Sequence, residues 1–124
     1  MEKATLDELE ALRAAGRTHG SARAADKVKE AGKLTARERL SVLLDPGTFN
    51  EIGVLARSQH PELRDRTPAD GVVAGWGAID GRIVYVSAED VTVQAGTRGH
   101  IAGIKVTRIR ELALQHKRPY IALM

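Results

Sequence analysis

Asp70-Gly-Val-Val-Ala-Gly-Trp-Gly-Ala-Ile-Asp-Gly-Arg-Ile-Val-Tyr-Val-Ser-Ala-Glu89 is the stretch whose reading decides the fold. At its centre stands Asp80-Gly81. A two-residue type I′ hairpin turn needs positive φ at both central positions, and Asp-Gly adopts them readily. The flanks fit that turn. Val72, Val73, Trp76, Ile79, Ile83, Val84, Tyr85 and Val86 are mostly β-branched or aromatic, the residue types that suit a pleated, half-buried surface. The expectation is strand Val72–Ile79, tight turn, strand Arg82–Glu89.

Outward from the hairpin toward the end of the chain, Asp90-Val-Thr-Val-Gln-Ala-Gly-Thr-Arg-Gly99 leads through two glycines into a helix. Ile101, Ile104, Ile109, Leu112 and Ala113 recur at three- to five-residue intervals and predict its apolar stripe. Arg108, Arg110 and Lys117 lie off the stripe and toward the helix end, where cations complement the dipole. Pro119 stops the helix, and Tyr120-Ile-Ala-Leu-Met124 reads as a buried strand beside the hairpin.

In the other direction, Arg57 to Ala69 is polar, contains Pro61 and Pro68 and lacks periodicity, so it reads as a mobile loop. Phe49 to Val54 allows a short strand. Thr35-Ala-Arg-Glu38 is a capping box, with Leu40, Leu43 and Leu44 as the buried face of the helix it opens and Asp45-Pro-Gly47 as its closing turn. Ser21 to Glu30 is an alanine-rich, charged helix with a thin apolar face, the kind that needs a packing partner. Thr5 to Arg17 suits a further helix, with Thr5 and Glu8 as a capping box and Leu6, Leu9 and Leu12 on one face. Gly16 and Gly20 interrupt it.

Composition narrows the function classes. The 124 residues make one domain or part of one, and 43% hydrophobic with 28% charged content is ordinary for a globular chain. The net charge of +3, from 19 basic and 16 acidic residues, forms no basic stripe, which speaks against nucleic acid. Cysteine is absent, so disulfide and thiolate chemistry are excluded. No apolar run approaches the roughly 20 residues that span a bilayer, and no signal-peptide core opens the sequence. A cytoplasmic chain without membrane contact is expected.

The chemistry concentrates in Ala95-Gly96-Thr97-Arg98-Gly99. Backbone amides at a helix start, brought close by glycine, favour a phosphate, carboxylate or oxyanion. The same pattern also serves as a plain turn. Arg98, His100 and Lys105 lie near enough in sequence to meet an anionic ligand. Glu89 and Asp90 are adjacent and would point to opposite strand faces, so they are not an acid–base pair, and Asp90 is placed to cap the next loop. His19, His60 and His116 have no metal-ligand spacing and read as surface residues.

Several motifs in one order carry a resemblance: Gly32-Lys-Leu-Thr-Ala-Arg-Glu-Arg-Leu40, Leu43-Leu-Asp-Pro-Gly47, Asp70-Gly-Val-Val73, Gly81-Arg-Ile-Val-Tyr-Val86 and the Asp90 to Gly99 loop. Together they resemble the start of the carboxyltransferase (beta) subunit of biotin-dependent acyl-CoA carboxylases, of the propionyl-CoA and acetyl-CoA carboxylase type. The resemblance runs from about Gly32 to Met124.

It implies an α/β fold, a partial crotonase-like (ClpP/crotonase) layer, with a helical N-terminal arm over residues 1–34 and the first, truncated part of a carboxyltransferase domain over 35–124. It implies carboxyl transfer from carboxybiotin to propionyl-CoA or acetyl-CoA in an intact subunit. Biotin would be carried by a biotin carboxylase/biotin carrier (alpha) subunit or domain, and the beta subunits would form a homo-oligomer. In relatives of that fold a thioester oxygen is held between two backbone amides. The resemblance places Ala95, Gly96, Thr97, Arg98 and Gly99 at the first donor, and implies no catalytic side chain and no metal.

Two departures stand out. Many family members carry Gly-Gly-Ser where this chain has Ala95-Gly96-Thr97, and a smaller or apolar residue where it has Arg98. The family's Asp-x-Gly-Gly-Ala-Arg segment, which completes the oxyanion site, would follow Met124. The 124 residues alone are therefore expected to be inactive. An acyl-CoA decarboxylase subunit of the same fold and a free-standing, non-catalytic interaction module are the alternatives. Determinants of acyl-chain length would lie downstream.

Overall fold

In the computed structural model, which describes residues 2–124, the hairpin pairs from Val72 opposite Glu89 to Ile79 opposite Arg82. Asp80 and Gly81 have φ of 50° and 79°, as a type I′ turn requires. The turn is also tied from outside. The Asp45 carboxylate accepts hydrogen bonds from the amides of Asp80 at 3.0 Å and Gly81 at 2.8 Å. The Asp-Pro-Gly turn upstream thus holds the hairpin tip.

We label the hairpin strands β2 (Val72–Ile79) and β3 (Arg82–Glu89). A short β1 (Asn50–Ile52) adds antiparallel to β2, and β4 (Tyr120–Leu123) adds parallel to β3. The sheet order is β1-β2-β3-β4. A parallel neighbour requires a crossover, and the helix α4 (His100–His116) supplies it. It ends through left-handed Lys117, with the Arg118 amide reaching back to the Ala113 carbonyl at 2.9 Å. Pro119 then turns its carbonyl to the Tyr85 amide at 2.9 Å.

The sheet is covered on both faces, not half buried. Val73, Val84, Val86 and Ala88 pack with Ala36, Leu40 and Leu44 of and beside α3 (Ala36–Leu43). On the opposite face Val72, Ala74 and Tyr85 pack with Ala102, Val106, Ile109 and Ala113 of α4. Double coverage explains why the hairpin sequence lacks the alternation of a one-sided sheet. It also corrects the helix stripe. The inward residues of α4 are Ala102, Lys105, Val106, Ile109 and Ala113, whereas Ile104 is 54% exposed.

The arm consists of α1 (Lys3–Gly16) and α2 (Ala22–Glu30). Ser21 caps α2 through the Ala24 amide at 3.1 Å, and Ala25 and Val28 are buried within this chain. The expected Thr5–Glu8 box does not form. The helix starts earlier, after Glu2, without a side-chain cap, and Leu6 and Leu12 remain exposed. Two close backbone approaches seat the arm. A Cβ on Gly16 would collide with the Val54 carbonyl, and one on Gly20 with the Thr92 carbonyl. The Gly20 amide donates to Thr92 Oγ1 at 2.8 Å.

Arg37 binds Glu51 bidentately, with both contacts at 2.8 Å, and donates to the Gly16 carbonyl at 3.2 Å. That one guanidinium ties α3, β1 and the end of α1 together.

The segment expected as an irregular loop carries local structure. It forms two short 3-10 turns, Pro61–Arg66 and Pro68–Gly71, and Thr67 to Gly71 are buried. Thr67 Oγ1 donates to the Leu63 carbonyl at 3.0 Å and accepts from the Ser58 amide at 3.0 Å, closing the segment on itself. Among the described residues no helix is long and apolar enough to cross a membrane.

Candidate functional site

Two left-handed turns meet at the start of α4. In the first, Ala69, Asp70 and Gly71 have φ of 53°, 49° and 75°. In the second, Gln94, Ala95 and Gly96 have φ of 48°, 54° and 81°. Side chains other than glycine carry a steric penalty of roughly 1–2 kcal/mol per residue in this region. Four such residues in two adjacent turns therefore need external restraint, and strained backbone of this kind concentrates at functional sites.

The restraint comes from buried charges. Asp70 is 4% exposed, and its Oδ2 accepts from the Ala102 amide at 2.8 Å, in the first turn of α4. Gly99, the residue that enters the helix, packs so tightly on this carboxylate that a Cβ would lie 2.7 Å from Oδ2. The helix N-terminus is thus filled by the chain's own anion.

From one turn further along α4, Lys105, 6% exposed, donates to the carbonyls of Ala69 (2.7 Å), which opens the first left-handed turn, and Val72, which follows it. Its methylenes lie under Gly53, where a Cβ would be 2.8 Å from Cε. Burial pushes the Lys105 pKa down to about 8. Arg37 acts in the same direction, while Glu51 and Asp70 oppose it.

The second turn rests on the first. A Cβ on Gly71 would lie 3.1 Å from Val93 Cγ1, and the Gly71 carbonyl accepts from the Asp90 amide at 2.9 Å. Asp90 caps the start of the loop, accepting from the Thr92 amide at 2.9 Å and the Thr92 hydroxyl at 2.5 Å. Within the loop the Gly96 amide donates to Val93 (2.9 Å) and the Thr97 amide to Gln94 (3.0 Å). Arg98 pairs with Glu89. A cavity of about 140 Å³ opens between the two turns, with Ser58, His60, Asp70, Gln94, Thr97 and His100 in its wall.

Of the residues picked out by sequence, Thr97, Gly99 and His100 line the cavity, whereas Ala95, Gly96 and Arg98 do not. His60 joins them from the segment 57–69. Lys105 does not meet the solvent side at all. Its expected role toward an anionic ligand is corrected by its burial and its two backbone acceptors. Arg98 is exposed but its charge is shared with Glu89.

Sequence reading missed Asp70 and Gln94. Asp70 entered only as the first residue of the Asp70-Gly-Val-Val73 motif, and nothing local marks it as the cap of a helix some thirty residues on. Lys105 did carry a signal. It sits in phase with Ala102, Val106, Ile109 and Ala113, and a lone cation inside an apolar stripe is a buried charge in need of partners.

The comparisons with known proteins agree with this architecture. Residues 27–124 match the carboxyl transferase domain family model. The chain is 41% identical over 124 residues to the propionyl-CoA carboxylase beta chain of Cereibacter sphaeroides, covering 98% of this chain and 24% of that one. It is 45% identical over 103 residues to the biotin-dependent acetyl-/propionyl-coenzyme A carboxylase beta5 subunit of Mycobacterium tuberculosis, covering 81% and 19%. Among solved structures, transcarboxylase 12S, described as a hexamer assembly with methylmalonyl-coenzyme A and methylmalonic acid bound, superposes with a TM-score of 0.89 at 35% identity. That match covers 98% of this chain and 24% of the other. The chain therefore spans about a quarter of the length of the relatives it matches. On the family match over residues 27–124 and this whole-chain superposition, the chain belongs to the carboxyl transferase domain family and has its crotonase-type α/β fold.

Proposed function

We propose that these residues are the opening part of an acyl-CoA carboxyltransferase subunit that moves a carboxyl group from carboxybiotin to the α-carbon of propionyl-CoA or acetyl-CoA. The observation that carries the reading is the left-handed loop Gln94–Gly96, whose Gln94, with Thr97 and Gly99 just after it, lines the cavity. A carboxyl acceptor must lose its α-proton, which would pass to the biotin nitrogen that the carboxyl group leaves, and the enolate charge then on the thioester oxygen is stabilised by backbone amides. In loop 95–99 the Gly96 and Thr97 amides are already used within the loop, which leaves those of Ala95, Arg98 and Gly99 as donors of that kind. The helix N-terminus behind it offers none, because Asp70 already occupies it.

We assign these donors to a thioester carbonyl; biotin would arrive on a biotin carboxylase/biotin carrier (alpha) subunit or domain and supply the activated carboxyl group. Residues 1–34 serve as a helical arm, and residues 35–124 begin the carboxyltransferase domain. The intact subunit forms a homo-oligomer in the cytoplasm. These 124 residues provide one wall of the site and give no turnover alone.

The test is hydrogen exchange with and without propionyl-CoA. Slower exchange confined to residues 93–100 supports the reading. Protection elsewhere, or none, refutes the assigned loop, and carboxylated product from the chain alone with a carboxybiotin donor refutes the single-wall assignment.

A further inference from the structure

We infer that Lys105 and Asp70 form a positioning clamp that holds the two left-handed turns in register and so fixes where loop 94–99 presents its amides. The part of this inference that concerns acyl-CoA rests on the reading given under Proposed function. The part that concerns the loop does not.

The geometry is that of a bracket. Lys105 Nζ takes the carbonyl of Ala69, the first residue of the left-handed turn, and that of Val72, just after its last, so the turn cannot unwind without breaking one of them. Asp70, inside that turn, holds the first turn of α4 through the Ala102 amide. Lys105 stands on the same helix one turn later. Helix and turn are therefore joined at two points about one helical pitch apart, which fixes both distance and rotation.

Loop 94–99 hangs from this joint at both ends. Val93 packs on Gly71 at its start, and Gly99 lies on the Asp70 carboxylate at its finish. Neither Lys105 nor Asp70 needs to touch a ligand to set the loop. Both are among the most buried charged residues of the chain, and both make bonds to backbone rather than to each other. A neutral Lys105 amine would still carry two N–H donors for its two acceptors, so the bracket survives titration. The charged groups around Lys105 are Glu51, Arg37 and Asp70.

Hydrogen exchange separates positioning from plain stability. In Lys105→Met, which keeps the side chain's length and removes its donors, amides of segment 93–103 should exchange about tenfold faster or more while the β2–β3 hairpin keeps its protection. Asp70→Asn keeps the shape, the tolerance of left-handed backbone and one acceptor oxygen but loses the charge. It should give a smaller rise, about threefold, in the same segment.

Uniform acceleration across loop and hairpin in both variants, or no change at 93–103, overturns the clamp. If Lys105→Met does not fold, the Asp70→Asn result decides by the same criterion. Propionyl-CoA is then added to the unaltered chain and to Lys105→Met. Protection of the loop in the first and its loss in the second supports the link to acyl-CoA. An unaltered chain whose loop gains no protection removes that link and the functional reading with it, and leaves the clamp to be judged on exchange alone.

Discussion

Lys105 carries the most testable charge in the molecule. Its ammonium group is buried by α4, Gly53 and the turn at Ala69–Gly71, and burial lowers its pKa from 10.5 to about 8. The unfolded chain keeps this proton up to the ordinary lysine range, so between about pH 8 and 10.5 the unfolded state binds more protons than the folded one. Stability must then rise with pH across that window, by about 3 kcal/mol if no other group intervenes. Below pH 8 both states hold the proton and the folded state bears the full burial penalty. Urea unfolding at a series of pH values checks this, with Lys105→Met as the reference that lacks the slope. Equal slopes in both proteins would assign the effect to other groups. In the sequence Lys105 was visible as a cation in an apolar phase, but its acceptors lie on residues 69 and 72. No local pattern connects these.

At the scale of elements, the two capping-box patterns in this chain make an instructive pair. Thr35 and Glu38 form theirs in full. The Thr35 hydroxyl accepts from the Glu38 amide at 3.3 Å and Glu38 accepts from the Thr35 amide at 2.8 Å. That backbone hydrogen bond is the main cause of the lowered Glu38 pKa. The box is therefore complete above the ordinary carboxylate range and weakens as pH falls through the folded value. Thr35→Ala should lower stability by about 1 kcal/mol at neutral pH, read as a shift of the urea midpoint with an unchanged slope. Thr5 and Glu8 have the same spacing and form no box, because the helix takes Glu2 as its N-cap, three residues before Thr5. Nothing at Lys3 or Ala4 breaks a helix, and each residue added to an existing helix gains a backbone hydrogen bond. Spacing gives a cap its opportunity. The preceding residues decide whether the helix starts there.

For the whole molecule, the arm is joined to the core by close contacts rather than by a broad apolar face. Gly20 donates to Thr92 Oγ1 and lies against the Thr92 carbonyl with no room for a side chain, and Thr92 is itself held by Asp90 at the entrance to the candidate loop. Gly20→Ala should therefore release the arm while the sheet stays folded. Limited proteolysis would cut residues 2–30 faster, with unchanged exchange protection in β2 and β3. Equal loss in both regions would show that arm and sheet unfold as one.

The hairpin and its Asp80-Gly81 turn, the capped helix at Thr35, the helix after Gly99 and the strand after Pro119 were all legible in the amino-acid order. Each of these rests on backbone preferences and apolar periodicity expressed within a few residues. The family was legible too, through motifs kept in order. The folded chain was needed to show which face of α4 is buried, that residues 57–71 carry local structure, and that Asp70, a buried carboxylate far from α4 in sequence, caps that helix. Those outcomes depend on two-sided coverage of the sheet and on buried charges finding distant backbone partners. Such pairings arise only when the chain has folded, because a charge withdrawn from water takes whatever donor or acceptor the packed backbone brings to it.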